Sequence, residues 1–138
     1  MADHTVEVTI VTPDGSVYDR DDATMVIVKT GGGEMGILAS HQPFVATLEI
    51  DAVRIQTGDK EDQVAVCGGF IEFSGNLATI VADSAETSKE IDIERAQNAK
   101  SRAEEHIKHA HEVHDADELS RAEVALKRAV NRLNISGK

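Results

Sequence analysis

Aromatic residues are nearly missing from this chain of 138 residues, which has no tryptophan, one tyrosine and three phenylalanines. Its core must be assembled from Val, Ile, Leu, Ala and Met. Cys67 is the only cysteine, so an internal disulfide framework is excluded. No apolar run reaches the ~18 residues of a membrane span, and no charged-then-apolar signal segment opens the chain. The expectation is an intracellular, soluble protein without direct membrane insertion. Basic residues are few, 14 Lys and Arg against 25 Asp and Glu. That balance argues against nucleic-acid binding, which needs a basic footprint. Catalytic signatures are lacking too: there is no Ser/His/Asp elbow, paired-carboxylate signature or His-Glu-x-x-His run. Cys67 has no fixed histidine partner and reads as a small buried thiol.

The acidity is unevenly placed. Residues 1–90 carry a net charge of −11, and residues 91–138 carry 9 basic and 9 acidic residues. The hydrophobic period changes at the same place. Val6, Val8 and Ile10 alternate with Glu7 and Thr9, the period of a half-buried strand. Met25–Val28, Ala52–Thr57, Gln63–Val66, Phe70–Phe73 and Leu77–Val81 are further short, β-branched runs. Turn residues separate them at Pro13–Gly15, Gly31–Gly33, Thr57–Asp59 and Ser74–Asn76. Many short strands at this spacing predict an antiparallel sandwich or barrel. From Ile91 to Gly137 there is no glycine or proline. Ala96, Ala99, Ala103, Ile107 and Ala110 recur at helical spacing, as do Leu119, Ala122, Leu126, Ala129 and Leu133. Asp92 is the predicted N-cap of the first helix, and Asp115 with Glu118 predicts a capping box for the second. A turn at His111–Asp115 makes the helices antiparallel neighbours. The expected fold is α+β, an N-terminal antiparallel β-sandwich over 1–87 and a C-terminal helical hairpin over 88–138. Alanine seams bury little area per residue, so the hairpin should be held only marginally on the sandwich.

Arginines stand out on both helices. Arg95 and Arg102 are seven apart and share a face, and Arg121, Arg128 and Arg132 form a second row. A guanidinium donates two parallel hydrogen bonds to phosphate, and the helix start at Asp92 adds unpaired N–H groups. The competing reading is a solvated surface where these arginines pair with Glu94, Glu105 and Glu123. Gly31–Gly36 lacks the Gly-Lys-Ser/Thr end of a phosphate loop and reads as a tight turn with Glu34 at its exposed tip. His106, His109, His111 and His114 cluster near the end of the first helix with no third fixed metal ligand. They read as exposed side chains favoured by the negative helix end, and no metal is expected.

Four separated motifs, in order, resemble one family over nearly the whole chain. They are Val11–Gly15, Gly33–Leu38 followed by His41, Val66–Glu72 with its Gly-Gly-Phe, and Arg121–Leu133. That family is the epsilon subunit of the bacterial F-type ATP synthase. The resemblance implies a non-catalytic subunit of the central stalk, peripheral on the cytoplasmic face of the bacterial plasma membrane. Its sandwich would contact the gamma subunit and the c-ring, with Glu34, Met35, Gly36 and His41 near the latter interface. It also implies ATP as a regulatory ligand rather than a cofactor. Ile91, Asp92, Arg95 and Ala96 match the Ile/Leu-Asp-x-x-Arg-Ala motif that binds one ATP in many bacterial members. Glu86, Arg102, Arg128 and Arg132 fall where such members carry further contacts. By similarity, Arg95 and Arg132 would hold phosphates, with Ile91, Asp92 and Ala96 on the adenine side. The hairpin would inhibit ATP hydrolysis by extending into the alpha/beta catalytic head. The alternative is a purely structural coupling subunit. This chain departs from the family at Ala39-Ser40, where Pro-Asn is common, and at Cys67, where serine or another small residue is usual.

Overall fold

A computed structural model describes residues 4–136, so Gly137 and the outer ends of both expected domains lie outside the described residues. Ten strands precede two helices: β1 (Val6–Thr12), β2 (Gly15–Ala23), β3 (Met25–Thr30), β4 (Gly33–Ile37), β5 (Phe44–Thr47), β6 (Asp51–Thr57), β7 (Lys60–Val66), β8 (Gly69–Ser74), β9 (Leu77–Ala82), β10 (Ala85–Thr87), α1 (Ile93–Val113) and α2 (Ala116–Ile135). The strands form two five-stranded sheets, ordered β2-β1-β9-β8-β5 and β10-β7-β6-β3-β4. Neighbouring strands pair antiparallel except β1 and β9, which run parallel from Glu7 against Leu77 to Val11 against Val81. The expected α+β sandwich followed by a hairpin is what the chain forms.

The core lies between the sheets. Val6, Val8 and Ile10 of β1 are fully buried, as are Val26, Ile37, Ile55, Ile71 and Ile80. Phe73 is the largest side chain among them. Cys67 is buried, as a small structural thiol should be.

The glycine-rich segment differs from the expectation. Only Gly31 and Gly32 turn, and Gly33–Ile37 is β4, paired with β3 from Val26–Ile37 to Thr30–Gly33. Glu34 therefore projects from an edge strand and not from a loop tip. Thr30 closes the turn by donating its hydroxyl to the Gly33 carbonyl at 2.9 Å.

Both helices start at the predicted aspartates. The Asp92 carboxylate accepts the Arg95 N–H at 3.0 Å, and that of Asp115 accepts the N–H groups of Asp117 and Glu118. The inter-helix turn is shorter than expected, because α1 runs through Val113. His114 then takes the left-handed conformation (φ 57°), leaving Asp115 to donate its N–H to the Ala110 carbonyl at 3.0 Å. Ala96, Ala103 and Ala110 of α1 and Ala122 and Ala129 of α2 are buried in the seam. Their seven-residue spacing keeps one small face of each helix toward the other.

The hairpin rests on β6 and β7 mainly through α2. Ile135, Ile91 and Ala65 form a small buried cluster, with Ala52 beside it. Asn131, the one buried polar side chain of the described residues, donates its Nδ2 to the Val66 carbonyl at 3.3 Å. Among the described residues, two hydrogen bonds thus tie α2 to the strands, this one and the Arg132–Glu86 pair. Asn131→Ala should loosen the docked hairpin by about 1–3 kcal/mol, since a buried hydrogen bond is lost and a space is left. Hydrogen exchange should then accelerate in α1 and α2 while β1 and β9 stay protected. Equal acceleration in both modules would show that the amide supports the whole fold instead.

Candidate functional site

The link from β10 to α1 and the last turns of α2 enclose a cavity of about 400 Å³. Its walls are Glu86, Glu90, Asp92, Arg95, Ala96, Ala99, Arg102 and Arg132. Arg95 and Arg102 point from one face of α1, as their spacing requires. Arg132 reaches in from the last turn of α2 and donates Nε–H to Glu86 Oε1 at 3.0 Å, an ion pair that is partly buried.

Charge in this cavity is balanced in number but not in availability. Each carboxylate is engaged: Glu86 with Arg132, Glu90 with the Thr87 hydroxyl at 2.6 Å, and Asp92 with the start of α1. Among the described residues, neither Arg95 nor Arg102 has an ion-pair partner. The surface pairs with Glu94, Glu105 and Glu123 are not formed among those residues either. Two free guanidiniums, a third held nearby and a helix start face one space, an arrangement suited to a polyanion. Ala96 and Ala99 supply the apolar part of its wall.

Of the eight residues expected here, six come together: Glu86, Asp92, Arg95, Ala96, Arg102 and Arg132. Two sit elsewhere. Ile91 is buried against Ala65 and Ile135, so it anchors the hairpin to the sheet and does not form the cavity wall. Arg128 lines a separate, shallow depression with Ser120, Arg121 and Val124. Glu90 and Ala99 line the cavity without having been expected. Ala99 follows Ala96 by one helical turn and was legible from that spacing. Glu90 lies in the irregular link before the cap, where periodicity has no reach.

Glu34, Met35 and Gly36 lie on β4, at the opposite edge of the same sheet, and His41 lies in the link that leads to β5 of the other sheet. Glu34 is largely exposed and meets Arg54 at 3.4 Å. A side chain at position 36 would press on the Met25 sulfur, 3.3 Å away. His41 stands edge-on to Phe44 and Phe73, with ring centres 5.1 and 5.9 Å away. Ser40 adopts φ 69° and donates its N–H to Asn76 Oδ1 at 2.7 Å. That left-handed backbone is one that asparagine tolerates better than serine.

Fold and site define a two-module protein, a β-sandwich carrying a docked helical hairpin with an anion-suited cavity at their junction. The ATP synthase delta/epsilon chain family matches throughout, its beta-sandwich domain over residues 5–88 and its long alpha-helix domain over residues 89–137. The chain belongs to that family. It is 56% identical over 138 residues to the ATP synthase epsilon chain of Levilactobacillus brevis, covering 99% of each. With that of Bacillus pumilus it shares 52% over 134 residues, covering 97% of this chain and 98% of the other. A solved chain of the Euglena gracilis mitochondrial ATP synthase, in its OSCP/F1/c-ring assembly, has the same fold at TM-score 0.78 and 24% identity. That match covers 94% of this chain and 79% of the other.

Proposed function

We propose that the chain is a non-catalytic, central-stalk subunit of a proton-translocating ATP synthase, peripheral on the cytoplasmic face of the bacterial plasma membrane. Its sandwich, taken as residues 1–87, contacts the gamma subunit, and the Glu34–His41 element meets the c-ring. Its hairpin, residues 88–138, has two states. Docked on the sandwich, it leaves rotation free. Extended along gamma, it reaches the alpha/beta catalytic head and blocks ATP hydrolysis. ATP binds only the docked state and so holds the hairpin back.

One observation carries this reading: Arg95 and Arg102 of α1, without ion-pair partners among the described residues, share a cavity with Arg132 of α2. Separating the helices would take that cavity apart. A ligand bound by one state alone favours it by RT ln(1 + [L]/Kd), about 2.7 kcal/mol at a hundredfold excess over Kd. The cavity, about 400 Å³, falls within the usual range of small-molecule sites. Phosphates would meet the arginines, and Ala96 and Ala99 would face the base.

Calorimetric titration of the full chain with ATP and ADP tests the proposal. One-to-one, saturable binding that is tighter for ATP is expected. No heat up to millimolar ATP would leave the purely structural coupling subunit as the reading. Deleting residues 91–138 would then impair assembly or coupling. For a regulator, that deletion removes restraint of hydrolysis and spares assembly.

A further inference from the structure

At the far end of the hairpin from the cavity, Glu118 departs from its capping role. The Asp115 carboxylate accepts the Glu118 N–H, which is half of a capping box. The returning half is missing, because the Asp115 N–H is taken by Ala110. Instead the Glu118 side chain, only 18% exposed, crosses to α1. His106 Nδ1 lies 3.0 Å from its Oε1, and His109 Nδ1 lies 3.0 Å from its Oε2. Two imidazoles one turn apart on α1 therefore grip one carboxylate of α2 close to the turn.

We propose that His106, His109 and Glu118 form an acid-tightened clasp that resists separation of α1 from α2. It stands on the hairpin alone and does not require the cavity to take a nucleotide. Histidine is the side chain whose charge ordinarily changes between pH 5 and 8. A protonated imidazole adds a second charge to its hydrogen bond with the Glu118 carboxylate and makes an ion pair.

The surrounding charges fit this direction. Arg102 and Arg121 line the groove beside the cluster. Their positive charge lies on the same groove as the Glu118 carboxylate. Glu105 and Glu112 lie four residues before and three after His109 on α1, Asp115 caps α2 and Asp117 lies in its first turn. His111 and His114, near the end of α1, make no contact with Glu118 among the described residues. The groove is lined by the two helices alone.

The lower limit of the clasp follows from Glu118. The hydrogen bond from His106, then that from His109, holds its carboxyl below the usual glutamate range. A carboxyl depressed in the folded state contributes stability above its unfolded value, and loses it as pH falls through the folded value. In mild acid Glu118 thus stays ionised and available to both imidazoles. The contribution is lost only below the ordinary titration of glutamate, about pH 4.

Hydrogen exchange of the full chain without nucleotide at pH 7.5, 6.5 and 5.5, corrected for the intrinsic pH dependence of exchange, is the test. Protection of α1 and α2 relative to the sandwich should rise by about two- to thirtyfold on acidification, the range for two exposed pairs. Glu118→Gln keeps an acceptor but no charge and should flatten the rise, as should His106→Gln with His109→Gln. Circular dichroism reads whether each variant keeps its helices. A wild-type chain without the rise would overturn the clasp. So would a rise that persists in Glu118→Gln, whether or not the double histidine variant removes it.

Discussion

Replacing Arg95 with alanine is expected to weaken ATP binding by about 10- to 100-fold and to leave the melting temperature unchanged. Hydrogen bonds to charged groups are worth about 1.5–3 kcal/mol, and 1.4 kcal/mol is tenfold in affinity. Folding should not suffer, because the Arg95 side chain has no ion-pair partner among the described residues. The structural role of this residue belongs to its backbone N–H, bonded to Asp92 at 3.0 Å. Alanine keeps that N–H and is the better helix former. Arg132→Ala is a less direct test, since it also breaks the Arg132–Glu86 pair that helps dock α2. Arg128→Ala supplies the contrast. Its side chain lines the depression with Ser120, Arg121 and Val124, so its loss should change affinity by less than about threefold if the cavity is the site. An Arg95→Ala chain that binds ATP as tightly as the parent would refute the assignment. A large effect at Arg128 would move the site outward along α2.

The strands that sequence patterning did not resolve share one physical position. β2 and β5 are the edges of one sheet, and β4 and β10 are the edges of the other. An edge strand has a neighbour on one side only, so alternation weakens and polar or glycine residues accumulate. In β2, Ser16, Asp19, Arg20 and Asp22 bond to one another and across to Thr9 and Asp62. β10 is three residues long, too short for a period to appear. The inner strands β1, β3, β6, β7, β8 and β9 have a paired strand on either side and turn alternate apolar residues into the core. The candidate site divides in a similar way. Arg95, Ala96 and Arg102 were legible because helical spacing alone sets their shared face. Arg128 and Arg132 are one turn apart, and spacing alone put them in one row. The pair that turns Arg132 into the cavity joins it to Glu86, 46 positions earlier, and no local period encodes that. The crossing of Glu118 to two histidines was hidden for the same reason. Its spacing from Asp115 is that of a capping box, and only the facing helix decides otherwise.

Gly69→Ala is expected to cost about 4 kcal/mol or more, beyond the ordinary range for one substitution. Gly69 has φ 116°, a backbone that L-residues rarely adopt, and it opens β8 opposite Ala82. A methyl carbon there would fall inside contact distance of the Val81 carbonyl oxygen and 2.8 Å from the Ala82 Cα. Both are backbone atoms of β9, so no side chain can turn aside to make room. Relief would require β8 to lift off β9. The Gly69 carbonyl accepts the Leu48 N–H at 2.9 Å, so the chain leaving β5 would be disturbed as well. For a domain of this size the melting temperature should fall by roughly 10–20 °C. Gly75→Ala separates crowding from conformational strain. Gly75 also has a positive φ, 57°, but nothing lies within 4 Å of a methyl built there. That variant should cost about 1–2 kcal/mol, the left-handed penalty alone. If the two variants melt together, close approach of β9 is not what requires glycine at 69. If Gly69→Ala alone collapses, the Gly-Gly-Phe motif is a packing constraint of the sandwich, independent of any ligand.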